Sequence, residues 1–279
     1  MASQILELLN TYEEDPSVKL VIVKGEGKAF CAGGAVSVFL NVSWKEAATV
    51  FYTAYTLDYL IATYAKTQVS LIRGIVMGGG AAFAVHGRFR VVTDDTVFAM
   101  PETALGLFPD VGASYYLSRL PGFFGEYVGL TGARLDGAEM LACGLATHFI
   151  PLEEEEADKN KDDWISWTIK TLKKASPTSL KISLRSIRTG RLQGVGQCLI
   201  REYRMSCTVI RGKVCRDFFE GCRALLVDKD KNPKWEPSKL ELVSKQMVDS
   251  YFAPLDDEDW EDIKLPVRPN LTSYVICKL

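Results

Sequence analysis

The order of apolar and polar positions divides the chain into short strands and helices that alternate along the sequence. Runs rich in β-branched and aromatic residues predict three strands, at residues 18–24, at residues 69–77 and within residues 90–100. Apolar spacing predicts helices at residues 6–12, 44–64, 81–87, 111–120 and 137–144. Strands that alternate with helices predict an α/β fold with parallel strand pairing.

The pattern changes after residue 151. Residues 152–163 are highly charged, and we interpret them as a linker or the start of an exposed helix. From residue 227 onward charges alternate and prolines are frequent, which predicts a loosely packed tail with short helices. We therefore predict a core at residues 1–151 and a C-terminal helical region with a tail at residues 152–279.

Composition excludes several classes of protein. The 279 residues are 47% hydrophobic, and the formal net charge is -2, so there is no global attraction to nucleic acid or to a membrane surface. The longest nearly uncharged run, residues 74–85, is too short to span a bilayer. Seven cysteines without a CxxC pair or zinc-ligand spacing indicate reduced thiols and no metal site.

Two turns of small residues are candidates for binding a carbonyl oxygen. Gly78, Gly79 and Gly80 follow a predicted strand and open into an apolar helix, and residues 31–34 form a second such turn. Glycine lets a ligand approach the backbone closely, so two turns on neighbouring strands could aim two N–H donors at one oxygen. The alternative is that both are ordinary connections between a strand and a helix.

Glu102 and Asp110 are the candidate acid and base. They flank a mostly apolar loop, where a carboxyl group should have a raised pKa suited to proton transfer near neutral pH. Asp110 has a structural alternative, because aspartate is a favoured helix N-cap. For Glu102 the alternative is an unremarkable exposed loop residue.

Other polar residues favour structural interpretations. His86 and His148 lack ligand spacing, so we interpret each as a packing or hydrogen-bonding residue. Seven basic residues and no acid occupy residues 166–193, which is more typical of a solvated helix face than of a phosphate site. The ending Cys277-Lys278-Leu279 is similar to a peroxisomal import signal, and it predicts an import receptor as a partner and a peroxisomal location.

Taken together, these residues resemble the crotonase (enoyl-CoA hydratase/isomerase) superfamily, in particular its plant peroxisomal 3-hydroxyisobutyryl-CoA hydrolase branch. The most specific stretch is VMGGGAAFAVHGRFRVVTDDTVFAMPETALGLFPDVGASYYLSRL. The resemblance implies a crotonase-like β/α spiral of repeated ββα units with a C-terminal helical region, assembled as a homo-oligomer. It also implies an acyl-CoA substrate and no cofactor other than the CoA of that substrate.

The resemblance implies roles for four residues. The N–H groups of Gly34 and Gly79 would form the oxyanion hole for the thioester carbonyl. Glu102 would act as nucleophile or as base for water, two roles that the sequence leaves open. Asp110 would assist proton transfer and hold the substrate hydroxyl. The implied reaction is hydrolysis of 3-hydroxyisobutyryl-CoA in valine breakdown.

Departures from the family pattern keep two other functions open. Hydratases carry a second glutamate where this chain has Ala82, which disfavours the hydratase or isomerase alternative. The chain carries Ala35 and Ala54 where hydrolases have acids, and it lacks an N-terminal hairpin and several tens of residues after Pro151. These features motivate a non-catalytic acyl-CoA-binding role, and they predict an exposed sheet edge with apolar surface.

Overall fold

The computed structural model describes residues 1–32, 39–152 and 164–268. Eight strands lie in these residues: β1 (Leu20–Lys24), β2 (Ala29–Cys31), β3 (Thr67–Ile72), β4 (Ile75–Met77), β5 (Phe89–Val92), β6 (Val97–Ala99), β7 (Leu135–Asp136) and β8 (His148–Phe149). The α-helices of the same residues are α1 (Ala2–Glu14), α2 (Trp44–Ala62), α3 (Ala81–Val85), α4 (Ala113–Tyr116), α5 (Phe124–Thr131), α6 (Gly137–Cys143), α7 (Trp164–Lys174), α8 (Pro177–Gly190), α9 (Val195–Arg211), α10 (Asp217–Cys222) and α11 (Lys245–Phe252).

The strands form two four-stranded sheets that the chain visits in turn. The first sheet has the order β1-β3-β5-β8 and is parallel throughout. The second has the order β2-β4-β6-β7, with β2, β4 and β6 parallel and β7 antiparallel to β6. A strand in each sheet followed by a helix is the ββα repeat, so the predicted α/β spiral is confirmed.

Two predicted strands are in fact pairs of strands. Residues 69–77 divide at Gly74, whose φ of 68° is left-handed, into β3 in one sheet and β4 in the other. Residues 90–100 also divide into two strands, β5 and β6. Ala29–Cys31 form β2, a three-residue strand that the sequence analysis did not predict. Apolar residues lie on both sides of each break because both sheets contribute side chains to the same core.

Helix predictions differ mainly in their ends. The helix predicted at residues 44–64 is α2, which starts at a capping box formed by Ser43 and Glu46. The helix predicted at residues 111–120 is shorter, because the left-handed Gly112 delays its start and a 3₁₀ turn follows it. The apolar helix after the glycine triplet is α3, and it is buried as predicted.

The C-terminal region packs more tightly than its composition suggests. Tyr251 and Ile263 are each 2% exposed and belong to the same core as Val76 of β4. Helices α8 and α9 contribute Ile187 and Leu199 to that core. Within residues 227–268 most side chains are exposed or partly exposed, as predicted for a loosely packed tail, and Val243, Val248, Tyr251 and Ile263 are the buried exceptions.

The predicted exposed sheet surface is present at β1. This strand is an edge of the first sheet within the described residues. Leu20 and Ile22 are 48% and 56% exposed. Both side chains lie on the face of the sheet that points away from the core.

Candidate active site

Three neighbouring parallel strands of the second sheet bring the candidate residues together at their carboxyl ends, which form one edge of the sheet. β2 ends at Cys31, β4 at Met77 and β6 at Ala99. The chain continues from β4 into the glycine triplet and from β6 into Glu102. Because carboxyl ends of neighbouring parallel strands lie side by side, the sheet order β2-β4-β6 brings Cys31, the glycine triplet and Glu102 close together.

The glycine triplet forms a 3₁₀ turn between β4 and α3. Gly78 has a left-handed φ of 61°, which favours glycine. Gly79 is exposed, and no atom of the described residues lies within 4 Å of the position that a Cβ would take. Among these residues nothing blocks the close approach of a ligand to its backbone.

Cys31, the first residue of the second small-residue turn, lies beside the glycine triplet, but the key residue of that turn is outside the described residues. A Cβ on Gly80 would lie 2.2 Å from the Cβ of Cys31, so the ends of β2 and β4 touch. Gly34 belongs to residues 33–38, which the structure leaves undescribed. Of the two predicted N–H donors, only Gly79 is therefore located.

Glu102 lies in a 3₁₀ turn that directly follows β6 and Pro101. Its side chain is buried, with 5% exposure, so the interpretation as an exposed loop residue is wrong. A Cβ on Gly78 would lie 2.9 Å from its Oε1, which places the carboxyl against the glycine turn. Its Oε2 is buried and has no hydrogen-bond partner among the described residues. Burial and then the charge of Asp110 raise the pKa of Glu102 well above its ordinary value.

Asp110 ends the apolar loop that starts at Glu102. It is not a helix N-cap, because Gly112 has that position and no side chain caps α4 locally. Its carbonyl oxygen accepts a hydrogen bond from the Ala113 N–H at 2.9 Å. Burial and then the charge of Glu202 raise the pKa of Asp110 to about 7. Asp110 and Glu102 thus form a coupled pair that retains a proton into the neutral range.

Glu202 of α9 is a residue of this site that the sequence analysis missed. It is fully buried, and its carboxylate accepts hydrogen bonds from the Gly112 and Ser114 N–H groups at 2.7 and 2.9 Å. Burial raises its pKa, and the hydrogen bonds from Ser114 and the charge of Arg201 oppose that effect. No local motif marks Glu202, since its partners lie about 90 residues earlier in the chain.

Asp58 of α2 is a second buried acid near the pair. It lies one helical turn after Ala54, the position at which the family resemblance implies an acid. The side chain is 3% exposed, and its Oδ2 has no partner among the described residues. Burial, followed by the charges of Asp110 and Glu202, raises the pKa of Asp58 well above its ordinary value.

The remaining candidates lie apart from this edge or in structural contacts. His148 is exposed on β8, and its Nδ1 lies 2.9 Å from Thr147 Oγ1. His86 is buried against Tyr115 and Tyr116, close to the turn after Asp110. The six described cysteines are free thiols. Within the described ranges no group of three or more His, Cys, Asp or Glu side chains is placed to hold a metal ion.

The basic residues of α8 are largely occupied by partners. Arg188 makes two hydrogen bonds of 3.0 Å to Glu126, Arg185 pairs with Asp249, and Lys181 donates to the Val243 carbonyl. The three line a surface cleft of about 690 Å³ between α8 and α11. These contacts agree with a solvated helix face. None of the helices in the described ranges combines the length and the hydrophobicity needed to cross a bilayer.

The fold and this group of strand ends together are those of the enoyl-CoA hydratase/isomerase superfamily. The structure of an enoyl-CoA hydratase from Rhodobacter sphaeroides 2.4.1 aligns with a TM-score of 0.82 and 29% identity, over 91% of this chain and 90% of that one. The chain belongs to the enoyl-CoA hydratase/isomerase family, which its residues 1–156 and 152–252 match.

Two relatives from Arabidopsis thaliana show how far members of the family diverge. 3-Hydroxyisobutyryl-CoA hydrolase 1 is 55% identical, over 100% of this chain and 90% of that protein. Small ribosomal subunit protein mS47 is 40% identical, over 95% of this chain and 81% of that protein. The relatives of this chain therefore include one protein named as an enzyme and one named as a ribosomal protein.

The comparisons also agree with the predicted internal deletion. The alignment with the hydrolase spans 344 positions, so at least 65 of them have no residue from this 279-residue chain. The two matched family ranges meet at residues 152–156, next to Pro151, where the missing segment was predicted.

Proposed function

We propose that this chain hydrolyses the thioester of 3-hydroxyisobutyryl-CoA to 3-hydroxyisobutyrate and CoA, a step of valine breakdown. The observation that carries the proposal is the Glu102 carboxyl, which is buried against the glycine turn, has one oxygen without a partner among the described residues and interacts electrostatically with Asp110. The 55% identity to a plant hydrolase of that name supports the choice of substrate.

The raised pKa values of the two carboxyls suit the chemistry. A nucleophile or base must be ionised, and a proton donor must be neutral. Because like charges in a buried site cannot both ionise easily, the pair holds one proton near neutral pH. Glu102 acts as base or nucleophile when that proton lies on Asp110, whose pKa of about 7 suits it to exchange protons with Glu102, water and the leaving group.

Two routes fit the position of Glu102. In the first, Glu102 removes a proton from water, the water oxygen bonds to the acyl carbon, the C–S bond breaks and the sulfur takes a proton. In the second, a Glu102 oxygen bonds to the acyl carbon, CoA leaves as the thiol, and water then hydrolyses the anhydride. In both, the Gly79 N–H, with Gly34 as its predicted partner, would stabilise the charge on the carbonyl oxygen.

The test is thiol release from 3-hydroxyisobutyryl-CoA by the purified full chain. We expect turnover by the wild type and a loss of at least about 100-fold in Glu102→Gln, which keeps the shape but removes the ionisable group. Glu126→Gln is the matched control, because Glu126 is also buried but pairs with Arg188 on α8. Wild-type protein that is folded and releases no thiol would contradict the proposal.

A second candidate is a non-catalytic binding role. It is favoured by the likeness to mS47 and by the missing internal segment. Folded protein that binds the thioether analogue of the substrate but does not hydrolyse 3-hydroxyisobutyryl-CoA itself would support it. Loss of crotonyl-CoA absorbance would instead indicate a hydratase, which the buried Ala82 at the second-glutamate position disfavours.

Location and assembly remain predictions. Cys277-Lys278-Leu279 lies outside the described residues, so import into peroxisomes through its receptor is a prediction from the sequence. Homo-oligomer formation is likewise a prediction from the family resemblance.

A further inference from the structure

The carboxylate of Glu202 is bound to a single short turn, the one that follows Asp110. Its Oε2 accepts from the Gly112 N–H at 2.7 Å, and its Oε1 accepts from the Ser114 N–H at 2.9 Å and from Ser114 Oγ. Glu202 has no exposed surface. Both oxygens of this buried carboxylate therefore accept hydrogen bonds, three in all.

The turn needs such support because its backbone conformation is unfavourable. Val111 has φ 50° and Gly112 has φ 82°, so two successive residues are left-handed, and the first of them is β-branched. Helix α4 has only four residues, and no side chain caps it locally. Glu202 therefore supplies, from another helix, the acceptors that a local cap would provide.

The support is itself held in place by neighbouring helices. Arg201 donates to Ser114 Oγ at 2.7 Å and to the Ser186 carbonyl on α8 at 3.1 Å. The hydroxyls of Tyr55 on α2 and Ser206 on α9 lie 2.9 Å apart, within hydrogen-bonding distance. These contacts hold α9, and with it Glu202, in place in the core. The turn that follows Asp110 is hydrogen-bonded to Glu202.

We propose that Glu202 is a positioning residue, whose ionised carboxylate holds the 111–114 turn and so places Asp110 beside Glu102 for proton transfer. This inference rests on the role of Asp110 in the proposed function. It assigns to Glu202 no contact with the substrate.

Glu202 also has an electrostatic effect that a purely structural residue would lack. Its charge is, after burial, the main cause of the raised pKa of Asp110. Neutralising Glu202 should therefore lower the pKa of Asp110. Other titratable or charged groups around it stay in place in such a variant: Arg201 and Cys198 on α9, Asp58 and Tyr55 on α2, Tyr116 on α4, Glu102 beside β6 and His86 after α3.

The experiment compares Glu202→Gln, Glu202→Asp and Ser114→Ala with the control Glu126→Gln in the full chain. In Glu202→Gln an amide N–H₂ must face one of the turn's N–H donors, so the turn shifts. We expect kcat to fall about 100-fold with a smaller change in KM, as misplaced catalytic groups produce. Glu202→Asp should recover part of kcat, and Ser114→Ala should lose less because both backbone bonds remain.

The pH dependence separates positioning from simple destabilisation. The limb of the kcat profile that Asp110→Asn abolishes should move to lower pH in Glu202→Gln by at least about 0.5 unit, and it should not move in Glu126→Gln. A ¹³C-aspartate NMR titration, with Asp110 assigned by Asp110→Asn, should give the same shift without any need for turnover.

The outcomes are distinguishable. Folded Glu202→Gln whose kcat and Asp110 titration equal those of the wild type would overturn the inference. If Glu202→Gln does not fold, folded Glu202→Asp takes its place, because the shorter side chain cannot reach both N–H groups of the turn, and a kcat equal to that of the wild type in this variant would overturn the inference. If the wild type releases no thiol, the proposed function fails, and the NMR titration still tests whether Glu202 controls Asp110.

Discussion

Gly79 and Gly80 are neighbours in one turn, yet a side chain on each would meet different surroundings. A Cβ on Gly79 would meet no atom of the described residues within 4 Å, whereas one on Gly80 would lie 2.2 Å from the Cβ of Cys31. We therefore expect Gly79→Ala to fold with a Tm within about 2 °C of the wild type and to lose at least about 10-fold in kcat/KM, because its methyl group occupies space meant for the thioester.

Gly80→Ala is the control for that prediction. Its methyl group would displace Cys31 and the end of β2, so we expect lost stability together with lost activity. Thermal unfolding and thiol release, measured on both variants, check the pair. Full activity in Gly79→Ala would show that the substrate does not approach this backbone.

Residue-scale prediction from sequence was successful where a residue's surroundings are local. Glu102 and Asp110 flank an apolar loop, and the apolar neighbours in that loop already indicate raised pKa values. Glu202 and Asp58 could not be found in this way. Each is buried only because distant elements pack around it, and each stands in a helix where an acid normally faces solvent.

At the scale of elements, Gly74 decides how the chain passes from one sheet to the other. Its left-handed φ of 68° separates β3 from β4, and a Cβ there would lie 2.3 Å from the Lys28 carbonyl oxygen. Apolar residues lie on both sides of Arg73 and Gly74, so residues 69–77 were predicted as one strand. The glycine itself was the available signal, since an isolated glycine in a strand pattern often marks a kink or a close backbone approach.

We expect Gly74→Ala to lower the free energy of unfolding by about 3 kcal/mol, from backbone strain and the clash with Lys28 together. Gly27→Ala isolates the strain, because Gly27 has φ 76° but nothing within 4 Å of its Cβ position. That variant should lose only about 1 kcal/mol. Urea unfolding of the two variants measures the difference, and equal losses would contradict a specific clash at Gly74.

The elements that the sequence predicted well are those with a complete local signal. Helix α2 has both an apolar face and a Ser43–Glu46 capping box, and its start was predicted within a residue. The short strands β2 and β7, of three and two residues, are too brief for any period to be visible. Their identity depends on pairing with β4 and β6, which are distant in sequence.

At the scale of the whole molecule, the candidate site lowers the free energy of unfolding by an amount that depends on pH. Asp110 has a folded pKa of about 7 against an ordinary value of 3.8. Between these values the folded chain binds more protons than the unfolded chain, so the free energy of unfolding falls as pH rises from about 4 to about 7. Above pH 7 the folded state bears the full cost of a buried, ionised carboxylate, and the raised pKa of Asp58 acts in the same direction.

Asp110→Asn should therefore stabilise the protein at pH 8, by about 2 kcal/mol or roughly 4–8 °C in Tm, and should leave the Tm nearly unchanged near pH 4. The control Asp95→Asn should have the opposite sign. At Asp95 hydrogen bonds from Thr93 and Arg73 outweigh burial and lower the pKa, so its removal should destabilise the protein at pH 8 and have less effect as pH falls toward 3. Thermal unfolding from pH 4 to pH 8.5 tests both signs. A lower Tm for Asp110→Asn at pH 8 would mean that the fold stabilises the ionised Asp110. It would contradict the claim that ionised Asp110 lowers the free energy of unfolding.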